Sequence, residues 1–265
     1  FGAAHRAHAS THAITQFLPS FAGLLLEKEV TMINRSMELP ARPFVAIIGG
    51  AKISDKIDLI KRFIDKADKI LIGGAMANTF LKFKRYDMGK SLVELGQDEI
   101  LREIYDLAAA KVGPENVDDF LVLPKDLAVS TSIDDPDQIR REVSVDKIAD
   151  DEMALDIGTQ AIDQFCDIIS TAKTIVWNGP MGIAEKEVFS IGSARIALAI
   201  AANNESVSIV GGGDTADFVL KWSGGDESSF THISTGGGAS MELMSGKKLP
   251  GVESLLDAYG HRVVH

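Results

Sequence analysis

Six short runs of apolar and β-branched residues recur along this chain of 265 residues, and each run ends in glycine or proline. The runs are 44–50, 69–74, 119–124, 174–179, 207–212 and 231–237. They are continuous rather than alternating, which is typical of strands buried on both faces of a parallel sheet. Segments of helical periodicity separate most of them. The pattern predicts an α/β fold, with a doubly wound, Rossmann-like sheet of six mainly parallel strands and helices on both faces.

Three other stretches fall outside this rhythm. Residues 18–39 read as one long amphipathic helix, and two prolines follow it, so the helix is expected to connect an upstream domain to this one. Residues 129–153 are too polar and irregular for a core, which predicts a hairpin excursion off the sheet. The first twelve residues combine small residues with three histidines and an arginine, without an initiator Met, so we expect a piece of a longer chain.

Composition narrows the classes of function. A net charge of −11 argues against non-specific binding to nucleic acid or to anionic membranes, which requires a basic surface. No apolar run approaches the ~20 residues that a membrane span needs. The single cysteine, Cys166, excludes an internal disulfide and a zinc cluster, and it fits a reducing cytoplasm. Because Cys166 lies in a helix-like segment, we expect a buried packing thiol rather than a nucleophile.

The loop "GGAKISDK" joins the first predicted strand to a helix expected to begin near Ile53. Gly49 and Gly50 allow close backbone approach, and the free N–H groups of a helix N-terminus attract anions. Lys52 and Lys56 stand four residues apart, on one face of such a helix. Since lysine in a first helical turn opposes the helix dipole, the pair fits a bound phosphate. Two solvated surface lysines are the alternative.

The loop "VGGGDTA" follows the fifth predicted strand and carries three consecutive glycines. Its N–H groups would form a cradle for phosphate, and the carboxylate of Asp214 suits a phosphate-bound Mg²⁺. Alternatively, Asp214 or Thr215 merely caps the following helix. Gly211, Gly213 and Ala216 also satisfy the loose dinucleotide-binding pattern, but the loop does not follow the first strand, where that pattern belongs.

Three more loops carry weaker signals. Glycines 236–238 feed a helix and would offer N–H donors to a phosphate being transferred. Glycines 73–74 suit a flat adenine ring, although close helix–strand packing explains them equally well. Glu185 is expected to begin a helix, where it would either cap that helix or bind ribose hydroxyls, and Asn178 would shape the same loop. Together, glycine loops at one edge of one sheet, with two lysines and an aspartate, predict a nucleoside-polyphosphate site.

The order and spacing of six motifs resemble the phosphoglycerate kinase family. The motifs are "GGAKISDKI", "LIGGAMANTFL", "LPKDL", "VWNGPMGIAE", "IVGGGDTA" and "STGGGASMELMSGKKLPGVESL". In that family two Rossmann-like domains face each other across a cleft and close about a hinge. The resemblance implies that residues 1–17 are a remnant of the N-terminal 3-phosphoglycerate-binding domain and that 18–39 form the interdomain helix. Residues 40–265 would be the C-terminal nucleotide-binding domain, with the last ~10 residues a tail that packs on the N-terminal domain.

The resemblance also implies roles for individual residues. Lys56 would contact the nucleotide phosphates and the transferring phosphoryl group, and Lys52 would stabilise that group from the substrate side. Asp214 would hold Mg²⁺, and Arg6 would be the surviving arginine of the substrate patch. The remaining positions would bind the transferred phosphoryl group (Gly236, Gly237, Gly238), the nucleotide phosphates (Asn178, Gly212, Gly213, Thr215), ribose (Glu185) and adenine (Gly73, Gly74, Leu155).

The activity that the resemblance implies is reversible, Mg²⁺-dependent phosphoryl transfer between 1,3-bisphosphoglycerate and ADP, giving 3-phosphoglycerate and ATP. Such a transfer needs no protein nucleophile, only in-line positioning and neutralised charge. This chain would be a cytoplasmic monomer that supplies the ATP/ADP-binding half and is inactive alone. A stand-alone nucleotide-binding module is one alternative, and a dinucleotide-dependent oxidoreductase is another.

Overall fold

The computed structural model describes residues 1–134 and 139–260, the last three of them by their backbone alone. The strands are β1 Phe44–Ile48, β2 Lys69–Ile72, β3 Leu121–Val122, β4 Asp126–Ser130, β5 Arg141–Ser144, β6 Met153–Ile157, β7 Thr174–Asn178, β8 Val207–Gly211 and β9 His232–Ile233. The α-helices are α1 Leu24–Glu38, α2 Ile57–Lys66, α3 Gly74–Phe83, α4 Asp98–Val112, α5 Val117–Phe120, α6 Thr159–Ser170, α7 Ile191–Ala202, α8 Gly213–Trp222, α9 Gly238–Met244 and α10 Pro250–Gly260. None of the helices described is long and apolar enough to cross a membrane.

All six predicted strands occur, and they form one sheet in the order β3-β2-β1-β7-β8-β9. Every neighbouring pair in this sheet is parallel. The predicted α/β fold is therefore confirmed. Each strand ends earlier than its apolar run, because most of the terminal glycines and Pro124 lie beyond the last paired residue.

Alternate residues of the strands enter two separate hydrophobic cores. On one face, Ala46 and Ile48 of β1 pack with buried residues of α2, α3 and α9. On the other face, Val45 and Ile47 pack with Trp177 and with buried residues of α6 and α7. Burial on both faces explains why the strand runs are continuously apolar. It also leaves the sheet edges as the places where a ligand can reach the backbone.

The polar segment 129–153 leaves the main sheet, as predicted, but it does contribute to a core. Its strand β5, and β6, which begins at its last residue, pair antiparallel with β4 in a second sheet of order β5-β4-β6. Val129, Val143 and Val145 are buried in a cluster with Leu127. The expectation of a segment too polar for a core was wrong because alternate positions are apolar, and one apolar face is enough for an antiparallel sheet. Part of the expected hairpin, 135–138, lies outside the described residues.

Two helix boundaries differ from the prediction. The helix expected over 18–39 begins only at Leu24, since its N-cap Gly23 has an extended backbone, and the residues before it are not helical. At the other end, α10 continues to Gly260, so the first half of the expected tail is helical. Residues 261–265 of that tail lie outside the described part of the chain.

Candidate active site

The predicted glycine loops converge on one edge of the main sheet. After β1 the chain crosses towards β2, and after β7 it crosses towards β8, so the connections leave in opposite directions from two neighbouring strands. A crevice opens at the carboxyl ends of strands at such a switch point, where ligands of open α/β sheets bind. The loops after β1, β2, β7, β8 and β9 all leave this edge because the strands are parallel.

Lys56 lies directly over this switch point. Its ammonium group donates a hydrogen bond to the carbonyl of Gly49, just after β1, at 3.0 Å and lies 3.5 Å from the carbonyl of Asn178, the last residue of β7. Burial lowers the pKa of Lys56 to about 8, although the carboxylates of Asp214 and Asp55 oppose the shift. A partly buried ammonium ion paired mainly with carbonyls would gain from a bound anion, which restores the pKa.

Two glycines make room for this ammonium group. A methyl group on Gly179 would lie 2.6 Å from Lys56 Nζ, and one on Gly50 would lie 3.2 Å from it. Both residues also have positive φ, 98° and 87°, which side chains other than glycine rarely adopt. The loops after β1 and β7 are therefore shaped around the lysine.

Helix α8 begins in the same crevice. Gly212 is its N-cap, with φ 91° and no side-chain cap, so neither Asp214 nor Thr215 acts as the capping residue. Thr215 is buried and its hydroxyl accepts a hydrogen bond from the N–H of Gly179 at 2.6 Å, which joins the loops after β7 and β8. Asp214 is exposed in the first turn of the helix.

Asn178 supplies a polar group that the described residues do not satisfy. The residue is 1% exposed, and its Nδ2 has no partner among the described residues. A methyl group on Gly212 would lie 2.9 Å from this nitrogen. A buried amide without an acceptor is costly, so a ligand oxygen in the crevice would stabilise it.

These residues enclose a cavity of about 240 Å³, which we call the glycine compartment. It is lined by Asp55, Lys56, Asn178, Gly179, Gly212, Gly213, Asp214, Thr215, Gly237, Gly238 and Met241. The lining combines a cation, backbone glycines, an amide donor and the carboxylates of Asp55 and Asp214. This chemistry suits a phosphate chain.

A second cavity of about 380 Å³ lies next to it, which we call the apolar compartment. Its lining is mostly apolar or glycine: Gly50, Ala51, Gly74, Ala75, Lys90, Leu92, Ile133, Met153, Ala154, Leu155, Pro180, Gly182, Ile183, Ala184, Glu185 and Asp214. Asp214 belongs to both cavities. A polar and an apolar compartment that meet at one carboxylate match the two ends of a nucleotide.

Of the residues predicted to bind adenine and ribose, the structure places some in the apolar compartment and one outside it. Gly74, Leu155 and Glu185 line the apolar compartment, whereas Gly73 does not. A methyl group on Gly73 would lie 2.5 Å from the sulfur of Met181, so this glycine serves close packing. The expectation that Glu185 begins a helix was wrong, since the next helical turn is the 3₁₀ turn Glu187–Phe189.

The N-terminus of α2 is not a free anion site. A 3₁₀ turn, Ser54–Lys56, precedes α2, so Lys52 and Lys56 do not share a helix face as predicted. The carboxylate of Glu94, far along the chain, accepts hydrogen bonds from the N–H of Ile53 at 2.6 Å and of Ser54 at 3.2 Å, and one from the Ser54 hydroxyl. The N–H groups expected to attract phosphate are thus already occupied. Lys52 is exposed and does not line the glycine compartment.

The loop with glycines 236–238 is covered on one side by the start of the chain. Gly237 and Gly238 line the glycine compartment, whereas Gly236 does not. A methyl group on Gly236 would lie 2.4 Å from the ring of Phe1, and one on Gly238 would lie 3.2 Å from His5 Nε2. Arg6 is exposed on this same segment. The segment predicted to carry the substrate arginine therefore lies against the predicted phosphoryl loop.

A buried hydrogen-bonded pair joins α1 to the strand that leads into this loop. Glu29 of α1 and His232 of β9 are 0% and 4% exposed, and their Oε2 and Nε2 atoms lie 2.7 Å apart. Burial alone would raise the pKa of Glu29, but the hydrogen bond from His232 holds it below its ordinary value. The helix predicted to lead to another domain is thus fixed to the element that carries glycines 236–238.

The donor set fits Mg²⁺ only when a nucleotide supplies further ligands. Among residues 1–134 and 139–260, no group of three or more His, Cys, Asp or Glu side chains could hold a metal ion. Asp214 offers one exposed carboxylate between the two compartments. One carboxylate with phosphate oxygens and water is how proteins usually hold Mg²⁺ at a nucleotide.

Sequence reasoning missed the residues that hold the site in place. Glu94 and Asp126 are examples. The Asp126 carboxylate, at the start of α6, accepts the N–H of Gln160 at 3.0 Å and of Ala161 at 2.8 Å. No local pattern could reveal them, because the carboxylate and the turn it caps are far apart in the chain.

A larger cavity of about 680 Å³, beside β3, contains none of the predicted site residues.

Comparisons with known proteins identify one family. A sequence profile described as "Phosphoglycerate kinase" matches residues 1–247. The phosphoglycerate kinase of Dictyoglomus turgidum is 49% identical over 259 residues, covering 97% of this chain and 63% of that protein. The phosphoglycerate kinase of Moorella thermoacetica is 48% identical over 259 residues, with the same coverage, 97% and 63%.

Solved structures agree as well. Phosphoglycerate kinase from Coxiella burnetii superimposes with a TM-score of 0.87 at 37% identity, covering 97% of this chain and 64% of that one. The enzyme from Pyrococcus horikoshii gives 0.78 at 30% identity, covering 98% and 63%. The chain thus spans somewhat under two thirds of the length of these relatives. With the glycine loops, the two compartments and a sequence match over residues 1–247, the chain belongs to the phosphoglycerate kinase family.

Proposed function

We propose that this chain is the ATP- and ADP-binding part of a phosphoglycerate kinase, which transfers a phosphoryl group between 1,3-bisphosphoglycerate and ADP. One observation carries the proposal: a polar and an apolar compartment meet at Asp214 on the switch-point edge of the sheet. The phosphates of the nucleotide would occupy the glycine compartment. Its base and ribose would occupy the apolar compartment, with Leu155 and Gly74 against the base and Glu185 at the ribose.

The ammonium group of Lys56 would neutralise charge on the phosphates. It is already held over the crevice by the carbonyls of Gly49 and Asn178, so little reorganisation accompanies binding. Asn178 Nδ2 and the N–H groups of Gly212 and Gly213 would donate to phosphate oxygens. Thr215 would keep the loops after β7 and β8 at a fixed separation, since its hydroxyl accepts the N–H of Gly179.

Mg²⁺, held by Asp214 and the nucleotide phosphates, would supply positive charge that neutralises the phosphate oxygens. Gly237 and Gly238 border the same compartment and would offer N–H donors to the phosphoryl group being transferred. Gly236 would act indirectly, because its small size admits Phe1 beside the loop. No nucleophilic side chain is required, since the carboxylate of 3-phosphoglycerate or the terminal phosphate of ADP attacks directly.

The second substrate would bind largely through the part of the relatives' length that this chain does not match. Arg6 and Lys52 are exposed and would face that substrate, 3-phosphoglycerate. We expect the isolated chain to bind Mg-ADP without turning over 3-phosphoglycerate. The assay is ATP consumption with 3-phosphoglycerate, for this chain and for a full-length relative, and robust turnover by residues 1–265 would contradict the division of the two sites.

A dinucleotide-dependent oxidoreductase is not supported by the geometry of the glycines. Gly211, the first glycine of the loose dinucleotide pattern, makes room for packing: a methyl group there would lie 2.4 Å from the terminal carbon of Met244. A nucleotide-binding module without catalysis differs from the proposed kinase only in the second substrate site. A monomeric state and a cytoplasmic location stay predictions from the sequence.

A further inference from the structure

A buried ion pair lies behind the wall of the apolar compartment without lining it. The carboxylate of Asp156, in β6, is fully buried, and its Oδ2 accepts a hydrogen bond from Arg140 Nη1 at 2.8 Å. The side chain of Arg140 is 10% exposed. Neither residue borders either compartment. Any effect of the pair on a ligand is therefore transmitted through the elements that it holds.

Those elements meet at residues 182–192, which comprise the loop after β7 and the first two residues of α7 and which we call the loop 182–192. The Asp156 carboxylate accepts the N–H of Gly192 at 2.8 Å. Arg140 Nη1 also donates to the carbonyl of Val188 at 3.0 Å, and its Nη2 donates to the carbonyl of Ile157 at 2.8 Å. One guanidinium group thus joins the middle of the loop to β6 and to the carboxylate.

Both ends of the loop close on this carboxylate. A methyl group on Gly182 would lie 2.5 Å from Asp156 Oδ1, and one on Gly192 would lie 2.3 Å from the same atom. The N–H of Ile183 also donates to the carbonyl of Leu155 at 3.0 Å. The loop is therefore fixed to β6 at its start, its middle and its end.

The fixed parts are walls of the apolar compartment. Ile183, Ala184 and Glu185 come from the loop, and Leu155 is the residue next to Asp156 in β6. Any movement of the loop relative to β6 would change the width of this compartment. The glycine compartment contains no residue of 182–192: it is lined by the loops after β1, β8 and β9 and, from the β7 side, only by Asn178 and Gly179.

Packing alone does not account for the pair. A buried ion pair is often matched or exceeded in stability by apolar residues of similar volume, because removing two charges from water is costly. Apolar residues, however, could not accept the Gly192 N–H or donate to the Val188 carbonyl. Burial raises the pKa of Asp156 to about 6, against the hydrogen bonds from Gly192 and Arg140, so the site bears a desolvation cost.

We propose that Arg140 and Asp156 are positioning residues for the nucleoside end of the bound nucleotide. They set the affinity for base and ribose by holding the loop 182–192 against β6, and they leave binding of the phosphate chain unchanged. This inference rests on the proposed function, since it assigns the apolar compartment to the nucleoside.

The test compares Arg140→Met with Arg141→Met in the intact chain. Arg141 is a matched control: it is the next residue, and it pairs with Glu152 rather than with the loop. Dissociation constants for Mg-ADP and for Mg-tripolyphosphate are measured by calorimetry at neutral pH. Hydrogen exchange then reports amide protection over the loop 182–192 and over residues 207–215.

We expect Arg140→Met to weaken Mg-ADP binding about tenfold and tripolyphosphate binding less than twofold. Amide protection should fall in the loop 182–192 and not in residues 207–215, and Arg141→Met should behave as wild type. Unchanged Mg-ADP affinity in Arg140→Met would overturn the inference, as would equal weakening for both ligands or loss of protection throughout. If wild type binds no Mg-ADP, the proposed function itself fails.

A second variant covers the case in which Arg140→Met does not fold. Arg140→Lys keeps a positive charge beside Asp156 but cannot donate to the carboxylate and to two carbonyls in the same fixed geometry. It should show the same preference for weakening Mg-ADP, by about threefold. A lysine variant indistinguishable from wild type in loop protection and in Mg-ADP affinity would contradict the proposal.

Discussion

Lys56 is the residue on which the proposed phosphate site depends most. Its pKa is about 8 because it is largely buried, compared with an ordinary value of 10.5. Between these two values the unfolded chain binds more protons than the folded chain, so this lysine makes the folded state gain stability as pH rises from 8 to 10.5. Anion binding is favoured by lower pH instead, because a bound phosphate stabilises the protonated form of Lys56.

The first prediction follows from this opposition. At pH 8, binding of Mg-ADP should be accompanied by uptake of about half a proton, because the bound phosphates restore the pKa of Lys56. Calorimetry in buffers of different ionisation enthalpy measures the proton count. Lys56→Met should abolish the uptake and weaken binding about 10- to 100-fold. Lys52→Met is the control, because this lysine is exposed outside both compartments, and an equal loss there would contradict the assignment.

The second prediction concerns adjacent glycines with different surroundings. Gly212 has φ 91°, and a methyl group on it would lie 2.9 Å from Asn178 Nδ2. Gly213→Ala, one residue later, would meet nothing within 4 Å. Gly212→Ala should lower the free energy of unfolding by about 1–3 kcal/mol, through strain and the displaced amide. Denaturant unfolding of both variants is the measurement, and a Gly212→Ala variant as stable as Gly213→Ala would show that the loop is not constrained.

At the level of elements, Glu94 fixes the turn Ser54–Lys56, which carries Lys56. Burial would raise the pKa of Glu94, but hydrogen bonds from Ser54 and Ile53, with the nearby charge of Lys52, hold it below the ordinary 4.5. Its contribution to stability is therefore present above pH 4.5 and is lost as pH falls through the lower folded value. This carboxylate replaces the phosphate that the sequence suggested for the same N–H groups.

The third prediction is that Glu94→Ala destabilises the chain by about 1 kcal/mol at neutral pH, the usual effect of removing a helix cap. The difference from wild type should shrink as pH falls below 4.5, because both chains then lack the charged carboxylate. Urea unfolding at several pH values measures it. Glu205→Ala removes an exposed partner of Lys173 and should leave the midpoint unchanged. Equal midpoints for Glu94→Ala and wild type would contradict the capping role.

The elements of the main sheet could be predicted because their signal is local. Each strand is a short apolar run that ends in glycine or proline, and the helices between them have clear periodicity. The start of α1 could not be fixed in this way, because an amphipathic pattern continues through residues that the extended Gly23 excludes from the helix. The second sheet was underestimated because its apolar residues alternate and are few.

For the site, most residues that line the glycine compartment could be predicted, whereas most of those that line the apolar compartment, and those that support both, could not. Lys56, Asp214 and the glycines stand in conspicuous loops, and the sheet edge brings such loops together. The exposed position of Lys52, the packing role of Gly73 and the capping by Glu94 depend on contacts between distant segments. Arg140 and Asp156 likewise meet only because β5 and β6 both pair with β4.

At the scale of the whole molecule, the two compartments proposed for the two ends of the nucleotide lie side by side at one edge of the main sheet. Loops after β1, β7, β8 and β9 contribute to the glycine compartment, and the loops after β1, β2 and β7, with β6, contribute to the apolar one. The pair Glu29–His232 joins α1 to β9, so the predicted interdomain helix and the phosphoryl loop are parts of one packed unit. A nucleotide that spans both compartments should therefore stabilise the chain as a whole.

Calorimetric titration of the intact chain with ADP is the most direct test that the two compartments bind a nucleotide with Mg²⁺. We expect the chain to bind ADP at one site in the presence of Mg²⁺ and much more weakly when EDTA removes the metal. We expect no binding of NAD⁺ at comparable concentration. Asp214→Asn should reduce the effect of Mg²⁺ while leaving the fold intact, since Asp214 is exposed. Tight binding of NAD⁺ without Mg²⁺-dependent binding of ADP would contradict the account.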